Sequence, residues 1–336
     1  MPDLPAPWLL PLPLPGGNAL PNRILPGPME GITVGSFCRV LARWQLVRCW
    51  ITPFVRLTTG VPRPSRLRHR LASYQETGLP VVVQIMGHDI ELLATTARRF
   101  ADLGVIGIDL NCACPSKTVV GNGAGGALLR QPDWLHRALV ALRAACPNLG
   151  ISVKLRTGFT SPDEMPEILA AMREARPDFA ILHYRTVAEQ YQRIPGGWDR
   201  LAKAKELAGA VPLLASGDIY TVDDALRLWR ECRVDGVAPA RGLLANPHLL
   251  RDIECACRGE VLLPCSRADQ LALLADIAVD ADQAPDTNHG FVLDFAARSL
   301  GSDDPLFPRL AACRGLREAR ALLVAACADG SDAQTR

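Results

Sequence analysis

The stretch IDLNCACPSKTVVGNGAGGALL, residues 108–129, sets Cys112 and Cys114 one residue apart, with Asn111 before them and Pro115 after. Thiols at short spacing serve metal ligation, redox exchange or proton donation. A zinc site needs about four ligands, and no second cysteine pair or histidine lies near these two in sequence. A one-residue spacer strains a disulfide. A single thiol with an unperturbed pKa of about 8.5 stays mostly protonated at neutral pH and can donate. Cys114, fixed by Pro115 and followed by the GNGAGG loop expected to fold over a substrate, suits that role. Cys112 then reads as a small buried neighbour. Spacing leaves the dithiol and the single acid both standing.

Other chemically capable residues sit at the ends of short apolar runs: Gln84 in PVVVQIM, Lys154 and Arg156 in GISVKLR, His183 in DFAILHY. Lys154 suits the negative edge of an electron-accepting ring such as a reduced flavin. Gln84, donor and acceptor side by side, suits the same ring edge. Two glycine-containing turns, Ser216-Gly217-Asp218 and Ala240-Arg241-Gly242, follow later runs. Together they point to a phosphate-bearing cofactor held by backbone N–H groups.

The elements that must position these residues are eight candidate strands, at 23–29, 49–55, 80–86, 105–111, 150–156, 178–184, 211–216 and 234–240, alternating with amphipathic helical patterns. That alternation predicts parallel strands with crossover helices. The expected fold class is α/β, a (β/α)8 TIM barrel over residues 23–250, followed by a small all-α C-terminal domain over 251–328. A Pro-rich extension, 1–22, precedes the barrel and a disordered tail, 329–336, ends the chain. In such barrels functional groups collect at the C-terminal strand ends, where Gln84, Asn111, Lys154 and His183 all fall.

Composition narrows the class. Nearly half of the 336 residues are hydrophobic and the net charge is +2, which excludes an overall polycation. Eleven cysteines in a long chain without a secretory pattern predict reduced thiols and a cytoplasmic protein. The densest positive run, VRLTTGVPRPSRLRHR, carries Arg56, Arg63, Arg66, Arg68 and Arg70 and is expected to neutralise nucleic-acid phosphates.

In order and spacing, PGPMEG, VQIMG, NCACPSKTV, SVKLR, HYRT, SGDI and ARG closely resemble the tRNA-dihydrouridine synthases over roughly residues 23–255. The PMEG and CPSKTV forms look most like the bacterial C-type branch, which acts on uridine 16 of the D-loop. The resemblance implies that Cys114 protonates uracil C5 while reduced FMN delivers hydride to C6, with NADPH (or NADH) reloading the flavin. It implies that Asn111 positions the substrate. It also implies that Pro28, Met29, Glu30, Gln84, Lys154, His183, Ser216, Gly217, Asp218, Ala240 and Arg241 line the FMN site. The partner implied is tRNA, met by a monomer through the arginine run and the C-terminal helices.

Departures from the family pattern carry their own expectations. Tyr184 in HYRT replaces glycine and should add bulk near the flavin. Ser216 replaces a common asparagine, and Ala240 a glycine, so its Cβ should narrow the phosphate loop. Pro53 stands where glutamate is frequent, and GFVLDFAARSLG lacks the usual lysine motif. Two other readings share parts of this pattern: an FMN barrel oxidoreductase acting on a small molecule, and a decayed RNA-binding paralogue.

Overall fold

A computed structural model describes residues 4–30, 34–262, 265–284 and 287–332. Its strands are β1 (Leu12–Pro13), β2 (Ala19–Leu20), β3 (Trp50–Ile51), β4 (Val55–Arg56), β5 (Val81–Met86), β6 (Gly107–Asn111), β7 (Gly150–Arg156), β8 (Phe179–His183), β9 (Leu213–Ser216) and β10 (Gly236–Val237). β10-β9-β8-β7-β6-β5-β3 run in that order, β4 also pairs with β5, and every pairing from β3 onward is parallel. Helices cross between β4 and β5 and between each later pair of consecutive strands, giving the expected (β/α)8 barrel architecture.

The outer strands differ from the expected spans because of proline. Residues 23–29 close the sheet beside β10 through a parallel bridge between Ile24 and Val237, with Leu25 N–H donating to Val237 O at 2.9 Å and Gly27 N–H to Pro239 O at 2.8 Å. Pro26 and Pro28 have no N–H, so no longer ladder forms there. Pro53 likewise separates β3 from β4, and Pro239 stops β10 at Val237.

Period-two alternation divides the buried side chains into two cores. Outward-facing Val83, Ile85, Ile108, Leu110, Cys112, Val153 and Leu155 pack against the helices. Inward-facing Val82, Phe179, Ile181, Leu214 and Ala238 fill the barrel floor, where Leu12, Leu14 and Leu20 of the β1–β2 ribbon join them. The N-terminal segment is therefore a plug for the barrel bottom rather than a loose extension.

The C-terminal region is helical: Leu249–Cys257, Arg267–Gln283, His289–Ser299, Phe307–Ala311 and Leu316–Asp332. The expected boundary at 250/251 falls inside the first of these helices. The expected tail begins too early, because the last helix runs through 329 to Asp332, and residues 333–336 lie outside the described residues. Asp280 anchors this region to the barrel by accepting from Arg39 and Arg43, each at 2.7 Å. Phe295 packs edge-on against Phe37 with ring centroids 5.6 Å apart. Among the described residues no helix is long and apolar enough to cross a membrane.

Candidate active site

The C-terminal ends of β5 to β10 surround a cavity of about 390 Å³, inside the roughly 300–1,000 Å³ range of small-molecule sites. It brings together Cys114, Asn111, Pro28, Met29, Glu30, Gln84, Lys154, His183, Ser216, Gly217, Asp218, Ala240 and Arg241. Strand period places them. Gln84 on β5, Asn111 on β6 and Lys154 on β7 all face inward, Asn111 being the register partner of Lys154 and Gln84 lying one layer below them as the partner of Asp109. One residue on, Cys112 turns outward, is fully buried in the helix-facing core, and burial drives its thiol pKa strongly up. Cys114, past the strand end, is partly exposed to the cavity.

Cys114 is held from several sides. Asn111 Oδ1 accepts the N–H of Ala113 and of Cys114, each at 3.0 Å, and Asn111 Nδ2 donates to Gln84 Oε1 at 2.7 Å. Both ends of the Asn111 amide thus bind protein, and its role toward a ligand is confined to its remaining N–H. The GNGAGG loop lies behind Cys114 instead of folding over the cavity. Gly126 N–H donates to Cys114 O at 3.0 Å, and a Cβ at Gly125 would lie 3.1 Å from Cys114 Cβ. Arg156, read as a strand-end residue but not among those expected to line the flavin site, lines the cavity and is 2 % exposed; it donates to Ala113 O at 2.8 Å, Thr186 O at 2.9 Å and Gln190 O at 2.7 Å. Its even spacing from Ser152 and Lys154 on one strand was the available signal.

Burial and the nearby Arg156 charge bring the Lys154 ammonium down to about 8, against the opposing pull of Asp109 and Cys114. No described residue hydrogen-bonds its Nζ. His183 Nδ1 accepts the Arg185 N–H at 3.3 Å, which leaves the ring proton on Nε2. Burial and the charges of Arg156, Lys154, Arg185 and Arg241 keep this imidazole neutral.

Gly217 (φ +104°) and Asp218 (φ +50°) form the turn after β9. The Asp218 carboxylate accepts from Tyr184 Oη at 2.6 Å, from Arg185 and from Arg241 at 2.7 Å. Burial works to raise its pKa, and the donors from Arg185 and Tyr184 more than offset this. Tyr184 does not crowd the cavity: it is 2 % exposed and occupies the far side of the turn, in space left by Gly197 and Gly217. The Ala240 Cβ is accommodated by Gly27, where a second Cβ would approach it to 2.9 Å.

Of the arginine run, Arg63, Arg66, Arg68 and Arg70 are exposed on and just before the helix Pro64–Gln75, outside the cavity. Arg70 lines a neighbouring hollow that shares Glu30 with the cavity. Arg56 ends β4 with a buried Nε that no described group accepts. Tyr191, Tyr220 and Arg298 also line the cavity, and no local pattern announced them. Arg298 reaches it from the C-terminal helix His289–Ser299, which packs on the short helix Arg241–Ala245. Among the described residues no group of acids, histidines and cysteines is arranged to hold a metal.

A parallel barrel with a held thiol, amides and cations on one strand-end cavity defines a barrel protein built for chemistry at that face. The profile of the family Dihydrouridine synthase (Dus) matches residues 24–274, and the chain belongs to that family. It is similar to the tRNA-dihydrouridine(16) synthase of Pseudomonas putida, 35% identical over 259 residues, 74% of this chain and 78% of that protein. In fold it resembles the old yellow enzyme from Trypanosoma cruzi (TM-score 0.51, 12% identity, 84% of this chain and 99% of that chain). It also resembles histamine dehydrogenase from Rhizobium sp. 4-9 (TM-score 0.59, 13% identity, 81% of this chain and 51% of that chain).

Proposed function

We propose that this tRNA-dihydrouridine synthase reduces uridine 16 of the D-loop, with FMN as resident cofactor and NADPH as its reductant. The observation that carries the reading is the Cys114 thiol and the Lys154 ammonium sharing one cavity while Cys112 faces the opposite core. The position number rests on the similarity to relatives that bear it.

The residues present fit FMN. Three cations of the barrel, Lys154, Arg156 and Arg241, line the cavity against two carboxylates, Glu30 and Asp218, which suits an anionic ligand. The turns after β9 and β10 occupy the corner where barrels hold phosphate. When bound, reduced FMN supplies the hydride for uracil C6 and NADPH renews it. Lys154 and the free N–H of Gln84 would hold the pyrimidine edge of the ring, and the neutral His183 donates from Nε2. Pro28, Met29, Ser216, Gly217 and Ala240 supply wall and backbone contacts.

Hydride addition at C6 leaves negative charge toward C5 and the C4 carbonyl, and Cys114, held by Asn111, delivers its proton to C5. The target uridine must leave its stack to enter the cavity. Arg63, Arg66, Arg68 and Arg70 and the helices after residue 250 meet the tRNA backbone, Arg56 contributing only where its strand end is exposed. The protein acts as a cytoplasmic monomer.

The test is direct. Purified protein should be yellow and release FMN on heating. With NADPH and an unmodified tRNA transcript, it should add two hydrogens to the D-loop uridine, mapped by mass spectrometry of nuclease fragments. Protein that carries flavin yet leaves every uridine unchanged would overturn the reading.

A further inference from the structure

Beneath the cavity, polar side chains take the place of apolar filling in one layer of the barrel. Gln84, Asp109 and Ser152 are register neighbours on β5, β6 and β7, exposed by 1 %, 0 % and 0 %. The next member of that layer, Phe179, is apolar, as barrel interiors usually are. A buried carboxylate is costly unless hydrogen-bonded, and Asp109 does not line the cavity. It meets its cost through two donors: Ser152 Oγ to Oδ1 and Gln84 Nε2 to Oδ2, both at 2.7 Å.

The direction of these bonds propagates. A carboxylate only accepts, so Gln84 must turn its amide nitrogen to Asp109 and its carbonyl to Asn111. Asn111 must then turn its nitrogen to Gln84 and its carbonyl to the backbone N–H groups of Ala113 and Cys114. We propose that Asp109 is a positioning residue that orients the Gln84 and Asn111 amides and so keeps Cys114 aimed into the cavity. This rests on Cys114 being the proton donor.

A neutral asparagine at 109 can present its own amide nitrogen, letting both amides reverse and releasing the Cys114 backbone. The experiment measures iodoacetamide alkylation of Cys114, by peptide mass spectrometry, in flavin-free protein, beside kcat and KM for tRNA in the flavin-loaded enzyme. Asp109→Asn should raise the alkylation rate and lower kcat, each about tenfold, as expected for coupled network residues, with KM little changed. Adding Gln84→Glu, which again can only accept from Asn111, should restore slow alkylation. Asp109→Asn and Asn111→Ala should combine without additive loss. Wild-type alkylation in Asp109→Asn, or additive losses, would overturn the proposal. If Asp109→Asn does not fold, Gln84→Met cuts the same relay, and a wild-type rate there overturns it equally. A wild type that forms no dihydrouridine sinks the functional reading instead, while the alkylation rates still decide the relay.

Discussion

The Tyr184 hydroxyl donates to Asp218 Oδ2 at 2.6 Å, across the turn that follows β9. The bond fixes a carboxylate that also receives Arg185 and Arg241, and it explains how a tyrosine fits where the family pattern has glycine. Gly197 and Gly217 supply the room: a Cβ at either would lie 2.4 Å or 2.9 Å from the ring. Tyr184→Phe should therefore cost about 1–2 kcal/mol of stability. Tyr184→Gly should cost roughly 3–5 kcal/mol, as for deletion of a buried aromatic ring. Urea denaturation measures both, and a Tyr184→Gly protein as stable as the wild type would show that the ring is not part of the packing.

The two cysteines should separate cleanly. Cys114→Ala should retain flavin and tRNA binding and lose roughly 10²–10⁴-fold in kcat, the usual contribution of a positioned acid. Cys112→Ala should keep turnover and lose on the order of 1 kcal/mol of stability as a packing change. Single-turnover assays and thermal unfolding on both variants test this. Equal loss of turnover from both would reinstate the dithiol reading.

Lys154 gives a signed pH dependence. In the free protein its ammonium loses its proton near 8, and an anionic ligand against it favours the charged form. Below that pH the lysine is already charged, so flavin affinity is flat. Above it, binding must take up a proton, and the affinity falls by up to about tenfold per pH unit. Lys154→Met should bind flavin more weakly with no fall between pH 8 and pH 10. Flavin fluorescence titration checks it; an identical slope in wild type and variant would place the titrating group elsewhere.

Arg66 and Arg68 are exposed, and Arg298 stands at the cavity wall where, among the described residues, it pairs only with Asp294 at the surface, a kind of pair of little energetic worth. Each phosphate contact removed should flatten the slope of log affinity against log salt by about 0.7–0.9. Arg66→Ala with Arg68→Ala should weaken tRNA binding without touching kcat or flavin content. Arg298→Ala should raise KM for tRNA while leaving flavin affinity intact. A weakened flavin affinity in Arg298→Ala would assign that guanidinium to the cofactor phosphate.

Much of this protein was legible in its sequence because the signals were local. Apolar runs of strand length alternating with helical patterns specify parallel strands and crossovers, and β5 to β9 follow them with at most two residues trimmed at either end. Strand ends in a barrel converge by geometry, so Gln84, Asn111, Lys154 and His183 met at one cavity as read. The period of two also separates Asn111 from Cys112.

What the tertiary structure alone decided depends on contacts far apart in the chain. Arg298 reaches the cavity because its helix docks on residues 241–245. Tyr184 turns away from the cavity because Gly197 and Gly217 open space on the other side, and the GNGAGG loop supports Cys114 instead of covering a ligand. The Asp109 relay becomes visible only when three strands are in register, because hydrogen-bond direction is a property of paired groups and no single strand carries it.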